Sequence, residues 1–468
     1  MKKEKVVIGD QGIRDARQLG VPRMLILGLQ HTFAMFGATV LVPILTGLDV
    51  STALLMAGLG TLLFHLITGG KVPVFLGSSF AFIGGYAAVA PLAEDGSPNT
   101  EMLPYACVGV AVAGLIYLVL ALLFKVFGTK RVMRFFPPVV TGPIIIAIGL
   151  TLAPSAVENC TQNWWLALVA LLTIVVFNIW GRGMAKIIPI ILGIVVSCVV
   201  AVIMQLCGME VFDPAKIQAL KDAAWVGLPI HRESIVFGNI PDLALVISSI
   251  VAIAPIAFAT MMEHIGDISA ISATTETNFI AKPGLHRTLV GDGLATSFSA
   301  LFGGPANTTY GENTGVLALT KVYDPRVIRI AACFAIVLSF SPKIAALISL
   351  IPTAIIGGIS FVLYGMISAI GVRNLVENQV DFTRSRNLIV AAVILVCALG
   401  NAVLSFTVLD VTITLSALAV ASIAGILLNA ILPGKDYVFK TEDPQDTGVN
   451  FAVGANSAEG APEDAPLD

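Results

Sequence analysis

Three acidic residues lie inside strongly apolar stretches of the chain. Glu263 and Asp267 are four positions apart within the apolar run 243–273, and Glu312 lies in a later glycine-rich segment. An acid at the middle of a bilayer costs about 2.5–3.5 kcal/mol on insertion scales and commonly marks an ion or substrate pathway. Glu263 and Asp267 share one helix face, and adjacent carboxylates in a poorly hydrated site favour retention of one proton. The three acids predict proton coupling, unless the helix ends early and leaves Asp267 among the lipid headgroups.

Two segments, one of which contains Glu312, have too much glycine, proline and serine to remain ordinary membrane helices. They are residues 72–82, which include Phe80, and residues 303–315, which include Tyr310 and Gly311. Non-helical backbone at membrane depth must be buried in protein or line a wet cavity. A short extended stretch followed by a half-helix directs free N–H groups into that cavity. A packing kink explains most isolated cases, but two related segments favour a binding site.

The remaining polar and aromatic residues inside the spans carry weaker signals. We expect His31 and His65 to hydrogen-bond neighbouring helices rather than to titrate for function. Asp292 follows a glycine, and it either joins the cavity or caps a helix end. Phe80 and Tyr310 are commonly packing aromatics, but their place in the interrupted segments favours contact with a ligand.

These groups define the chemistry of a ligand. Two acids, backbone N–H donors and aromatic faces, with no basic residue required inside the spans, disfavour a permanent anion. They suit a flat, neutral ring whose N–H groups bind carboxylates and whose carbonyls accept from backbone amides. Pyrimidine and purine bases fit this description.

The elements that position these residues follow from composition. The 468 residues are 56% hydrophobic and only 12% charged, with a mean hydropathy of +0.90, which excludes a soluble globular protein. At about 20 residues per span, the predicted fold is an all-α polytopic membrane protein with fourteen transmembrane segments. The spans are predicted near 24–47, 51–69, 72–91, 104–127, 137–157, 164–180, 185–206, 243–272, 287–303, 307–322, 325–341, 344–369, 387–406 and 411–432, with short extended stretches in segments 3 and 10.

The distribution of basic residues predicts the orientation. With the N-terminus inside, 23 of the 27 lysines and arginines fall on the inner side and 4 on the outer side, as expected for cytoplasmic loops. We therefore expect a multi-pass protein of the plasma membrane with both termini in the cytoplasm. Because the net charge is −3, nucleic acid is not an expected partner.

An internal repeat divides the chain. Gly-Leu-Gly-Thr at 58–61 recurs as Gly-Leu-Ala-Thr at 293–296, and Ser79 and Glu312 are 233 positions apart. Seven crossings per half is an odd number, so the halves are predicted to be inverted, as in many secondary transporters. The predicted organisation is a cytoplasmic N-terminal segment at 1–23, a first repeat at 24–206, an extracytoplasmic connection at 207–242, a second repeat at 243–432 and a disordered acidic cytoplasmic tail at 433–468.

Four motifs carry a family resemblance. They are Gly77-Ser78-Ser79-Phe80-Ala81-Phe82, Glu263-His264-Ile265-Gly266, Pro283-Gly284-Leu285-His286-Arg287 and Asn307-Thr308-Thr309-Tyr310-Gly311-Glu312-Asn313. They resemble the bacterial uracil permeases of the nucleobase-ascorbate transporter family. The resemblance implies a core domain of spans 1–4 and 8–11 and a gate domain of spans 5–7 and 12–14. It also implies symport of uracil with protons.

The resemblance further implies a role for each site residue. Glu263 and Glu312 would bind the N–H groups of the base, the backbones of Phe80 and Gly311 would meet its carbonyls, and Tyr310 would line the pocket. Purine-specific members usually have Gln-Asn where this chain has Glu312-Asn313, which favours uracil. The uracil permease pattern has a histidine where this chain has Asp267, so no histidine role is transferred.

Proton-coupled uptake of uracil by alternating access is therefore the predicted function. A purine-base (xanthine or urate) or sodium-coupled nucleobase symporter of the same fold is the first alternative, and an anion exchanger or channel is an alternative of another class. An enzyme is disfavoured, and no cofactor, metal or catalytic residue is predicted, because no metal cluster, nucleophile elbow or phosphate loop is evident. The expected partners are a nucleobase, protons and the lipid bilayer, and a homodimer is one option for assembly.

Overall fold

The computed structural model describes residues 12–93, 97–232, 234–408 and 411–434, and this part of the chain is mostly helical. Nearly all of the predicted tail at 433–468, and the first part of the segment at 1–23, lie outside the described residues. The helices are α1 (Val21–Thr46), α2 (Val50–Ile67), α3 (Ile83–Val89), α4 (Leu103–Phe127), α5 (Thr129–Val132), α6 (Pro138–Thr161), α7 (Trp164–Trp180), α8 (Pro189–Leu206), α9 (Pro214–Asp222), α10 (Leu243–Ile253), α11 (Ala257–Thr274), α12 (Leu285–Leu301), α13 (Gly311–Thr320), α14 (Pro325–Ser339), α15 (Pro342–Ser349), α16 (Thr353–Glu377), α17 (Ser385–Leu399) and α18 (Ala417–Ile431).

Several helices have the dimensions of membrane spans. Within the described residues, seven helical segments are long and apolar enough to cross a bilayer, α10 and α11 together forming one of them. An eighth is obtained if α14 and α15, which are bent by 84° at their junction, count as one span. Shorter apolar helices include α7, α17 and α18. The chain is therefore an integral membrane protein, while the total of fourteen spans stays a prediction.

The predicted extended stretches are present as two short strands, β1 (Leu76–Ser78) and β2 (Asn307–Thr309). They pair antiparallel, with Gly77 opposite Thr308 at the centre. Both strands are buried, so their backbone groups need partners inside the protein. The pairing supplies some of these partners and joins segments that are more than 200 residues apart in sequence.

The repeated threonines act on the strands in equivalent ways. The Thr61 hydroxyl of α2 donates to the carbonyl of Leu76 in β1 at 3.3 Å and accepts from its N–H at 2.9 Å. The Thr296 hydroxyl of α12 donates to the carbonyl of Asn307 in β2 at 2.9 Å. Each threonine of the repeated motif therefore stabilises the strand that follows it in the chain.

The helices around the strands pack in matching pairs. α2 packs against α14, and α12 packs against α4. Likewise, α1 packs against α14 and α10 packs against α4. Away from these helices, α6 packs extensively against α16, α7 against α8, and α17 against α18.

Three predicted spans near the C-terminus were wrong in detail. The predicted helix at 344–369 is divided into α15 and α16, because Pro352 interrupts the helix and stands at the start of α16. Parts of the predicted spans 387–406 and 411–432 form a hairpin of β3 (Leu404–Val408) and β4 (Val411–Leu415), paired antiparallel. These stretches are rich in β-branched and aromatic residues, which favour strands, and hydropathy alone does not separate a short apolar strand from a helix.

Candidate functional site

The two interrupted segments place half-helices beside the strand pair. After β1, the backbone forms a single 3₁₀ turn at Phe80–Phe82 and continues as α3. After β2, Tyr310 precedes α13, which begins at Gly311 and carries Glu312 in its first turn. The first N–H groups of a helix lack intrahelical acceptors and carry a partial positive charge. The start of α13 therefore provides donors for a carbonyl or anionic oxygen.

These elements and α11 enclose one cavity of about 50 Å³. Its polar wall contains every site residue predicted from the sequence, namely Phe80, Glu263, Asp267, Tyr310, Gly311 and Glu312. Its apolar wall comes from α6 and α16, through Ile145, Ile148, Leu363, Ile367 and Ile370. None of the residues that line the cavity is a lysine or arginine.

The carboxylates differ in their surroundings. Glu263 and Glu312 are half-buried and line the cavity, whereas Asp267 is only 3% exposed. The hydroxyl of Thr309 in β2 donates a hydrogen bond to the Asp267 carboxylate. Since α11 continues to Thr274, Asp267 does not lie beyond the helix end, as one interpretation of the sequence allowed.

Tyr310 is held by the opposite segment. Its hydroxyl donates to the carbonyl of Ser78 at 2.9 Å and accepts from the hydroxyl of Thr39 at 3.3 Å, and its N–H donates to the carbonyl of Phe75 at 3.1 Å. The ring lies so close to Gly77 that a Cβ at this position would collide with it. This role of Gly77 was not predicted from the sequence.

Of the two histidines of the first spans, His31 contacts a neighbouring helix, as expected, whereas His65 contacts the non-helical segment before β1. The side-chain amide of Asn313 lies 3.1 Å from Nδ1 of His31 and donates to the His31 carbonyl, also at 3.1 Å. Nε2 of His65 lies 2.9 Å from the carbonyl of Val74, which precedes β1. His31 thus links α1 to the residue that follows Glu312.

Asp292 occupies neither of the positions considered for it. It lies in the interior of α12, is fully buried, and has its carboxylate 3.1 Å from Nδ1 of the fully buried His264. Neither residue lines the cavity. Sequence reasoning missed this pair, although His264 directly follows Glu263 and Asp292 is an acid in the next span.

The chain matches a known protein family along most of its length. The profile of the Permease family matches residues 22–406. The chain is 43% identical to the uracil permease of Bacillus caldolyticus over 424 residues, which cover 89% of this chain and 93% of that protein. It is 40% identical to the putative pyrimidine permease RutG of Escherichia coli over 414 residues, covering 88% and 89% of the two chains.

Among solved structures, the fold is similar to the transmembrane domain of the cyanobacterial bicarbonate transporter BicA. That match has a TM-score of 0.57 at 18% identity and covers 83% of this chain and 97% of that one. At this identity the likeness concerns the fold alone. On the extent of the family match and the identity to its permease relatives, the chain belongs to the Permease family, whose members are transporters and not enzymes.

Proposed function

We propose that the protein is a secondary active transporter that carries uracil into the cell by symport with protons. One observation carries this proposal: α11 and the second interrupted segment contribute three acids and a helix start to the same buried cavity, to which the first interrupted segment contributes Phe80. The relatives named as uracil permeases support uracil as the substrate. The absence of lysine and arginine from the residues lining the cavity makes an anion exchanger the weaker candidate.

In the proposed complex the base lies between the polar and apolar walls. Glu263 and Glu312 accept hydrogen bonds from its ring N–H groups, and the backbones of Phe80 and Gly311 meet its carbonyls. Tyr310 lines the pocket. Ligand pockets commonly measure about 300–1,000 Å³, so a cavity of about 50 Å³ requires the two walls to separate when the base enters.

That separation is the basis of the proposed alternating access. We assign the polar wall to a core domain of spans 1–4 and 8–11, and the apolar wall to a gate domain of spans 5–7 and 12–14. The repeats at 24–206 and 243–432 are proposed to be inverted, with 207–242 outside the cell. The antiparallel pairing of β1 with β2, the equivalent bonds of Thr61 and Thr296, and the matching helix pairs support this symmetry.

Proton coupling is assigned to Glu263, Asp267 and Glu312. Three carboxylates near one cavity cannot all be ionised at low cost, so a proton taken up with the base reduces their repulsion. The bond from Thr309 to Asp267 connects this acid to the segment that binds the ligand. Release of the base and the proton would then be linked.

The positive-inside distribution further supports cytoplasmic termini.

Uptake of labelled uracil into proteoliposomes tests the proposal. Accumulation should require an inward proton gradient, disappear with a protonophore, and be abolished by Glu312→Ala. Xanthine competition and sodium dependence at fixed pH identify the purine-base or sodium-coupled alternatives. Uptake that persists with the protonophore and with Glu312→Ala would refute the mechanism, and flux without accumulation would indicate a channel.

A further inference from the structure

The segment before α1 is bound to the face of the molecule at which α11 and α13 end. Ile13 pairs in parallel with Val322. The Ile13 N–H donates to the carbonyl of Lys321 at 2.7 Å, and the Tyr323 N–H donates to the carbonyl of Ile13 at 2.8 Å. Ile13 and Val322 are both buried in a small apolar cluster of their own. This segment is therefore packed against the linker between α13 and α14.

Arg14 extends from the same segment to the end of α11. One Nη atom donates to the Thr277 hydroxyl at 2.6 Å, and the other donates to the carbonyl of Thr275 at 2.8 Å. Thr275 is the residue that terminates α11. A guanidinium at this position complements the negative end of the helix dipole and satisfies a terminal carbonyl.

Asp324 binds the segment before α1 on its other side. Its carboxylate accepts a hydrogen bond from the Ala16 N–H at 2.8 Å. It also accepts one from the Arg326 N–H at 2.9 Å, and this second bond caps α14. The Arg326 guanidinium lies 3.0 Å from Asp15 and 3.1 Å from Asp324. A hydrogen bond from Arg17 lowers the pKa of Asp15 to about 2, so Asp15 remains ionised near neutral pH.

The two helices whose ends this segment contacts, α11 and α13, carry the acids of the cavity. Glu263 and Asp267 belong to α11, and Glu312 belongs to the ten-residue α13. With a rise of 1.5 Å per residue, Glu312 is about 12 Å from the end of α13. A displacement of that end is therefore transmitted along a short, stiff helix to Glu312.

We infer that residues 12–16 form a positioning strap, in which Arg14 and the Ile13 backbone hold the ends of α11 and α13 and so set the spacing between Glu263 and Glu312. The inference rests on the proposed function for the location of the substrate. Arg14 touches no substrate in this account, and it acts through the two helices. Its loss should therefore alter affinity for the base more than the maximal rate of transport.

Arg14→Ala, Arg14→Lys and Arg23→Ala test the strap in the full-length protein. Arg23 is an exposed residue in the first turn of α1, so its removal deletes an equal charge nearby. Because Arg14→Ala removes hydrogen bonds from a charged donor, we expect it to raise the uracil KM about tenfold. The maximal rate per folded protein should stay within about twofold. Arg14→Lys should recover part of the affinity, and Arg23→Ala should match the unmodified protein.

Backbone hydrogen exchange gives a readout that is independent of the substrate. Amides in 275–279 and 311–320 should exchange about tenfold faster in Arg14→Ala than in Arg23→Ala. Unchanged exchange in these segments would overturn the strap, as would a lower maximal rate with an unchanged KM. If the unmodified protein carries no uracil, the proposed function fails, and hydrogen exchange alone decides whether the strap exists.

Discussion

The Thr309 hydroxyl donates a hydrogen bond to the Asp267 carboxylate and thereby connects β2 to α11. Both groups are buried, with exposed fractions of 2% and 3%. The bond lies at the junction between the segment that carries Glu312 and the helix that carries Glu263. Two of the elements that line the cavity are thus joined through a titratable group.

Thr309→Val should weaken this junction. Valine keeps the β-branched shape but removes the donor, and loss of a hydrogen bond to a charged group costs about 1.5–3 kcal/mol. We expect at least tenfold weaker uracil binding by calorimetry in detergent. In an Asp267→Ala background, Thr309→Val should cost much less, because the bond is already absent. An equal loss of uracil affinity in the two backgrounds would show that the hydrogen bond does not contribute to binding.

Asp267→Asn tests proton coupling without a change in side-chain size. Since asparagine cannot bind or release a proton, uptake should vary less with pH, and its pH optimum should shift. The measurement is initial uptake in proteoliposomes across a series of external pH values. Glu158→Gln, at an exposed acid near the end of α6, is the control that should keep the original profile. An unchanged profile in Asp267→Asn at normal protein levels would remove Asp267 from the coupling mechanism.

Gly77→Ala should disrupt the site by steric conflict. The added methyl group collides with the ring of Tyr310, and overpacking of this kind typically costs about 1–3 kcal/mol. We expect loss of uracil uptake together with a lower unfolding temperature. Gly315→Ala is the matched control, because no atom lies within 4 Å of a Cβ at that position in α13. Similar behaviour of the two variants would contradict the assigned role of Gly77.

Much of this site could be predicted from sequence because its signals are local. Glycine, proline and serine mark the breaks at 72–82 and 303–315, and Glu263 and Glu312 are conspicuous in apolar surroundings. The contact between Gly77 and Tyr310 was missed because it depends on strand register between segments distant in the chain. The bonds of Arg14 with Thr275 and Thr277 depend on tertiary structure in the same way. The pairing of β3 with β4 was missed because short apolar strands are not distinguished from helix ends by hydropathy.

The buried pair of His264 and Asp292 should contribute to stability. Removing one member of a buried pair leaves an uncompensated polar group and costs about 3–5 kcal/mol. Asp292→Ala should therefore lower the unfolding temperature in detergent, and the double variant with His264→Ala should lose less than the sum of the single variants. Asp213→Ala, which removes an exposed cap of α9, controls for loss of an acid. Additive losses would show that the pair is not coupled.

The salt links of Asp15 should not vary with pH in the physiological range. Because the hydrogen bond from Arg17 lowers the pKa of Asp15 to about 2, its stabilising effect is present above the unfolded pKa of about 3.9. That effect is lost only as the pH falls through the lower folded value. Asp15→Asn should therefore lower the unfolding temperature by the same small amount at pH 5 and at pH 8. If the loss of unfolding temperature in Asp15→Asn differed between pH 5 and pH 8, a group other than Asp15 would be responsible for the pH dependence.

Thr61→Val and Thr296→Val test whether β1 and β2 act as one structural unit. Each change removes a buried hydroxyl that binds the strand of its own half, Leu76 in β1 or Asn307 in β2. Thr61→Val also leaves the Leu76 N–H without its 2.9 Å acceptor, so we expect it to cost about 1–3 kcal/mol and Thr296→Val to cost less. Because β1 and β2 pair with each other, weakening either strand should loosen both. Hydrogen exchange should therefore increase at 76–78 and at 307–309 in both variants, and an increase confined to the altered half would mean that the strands do not act as one unit.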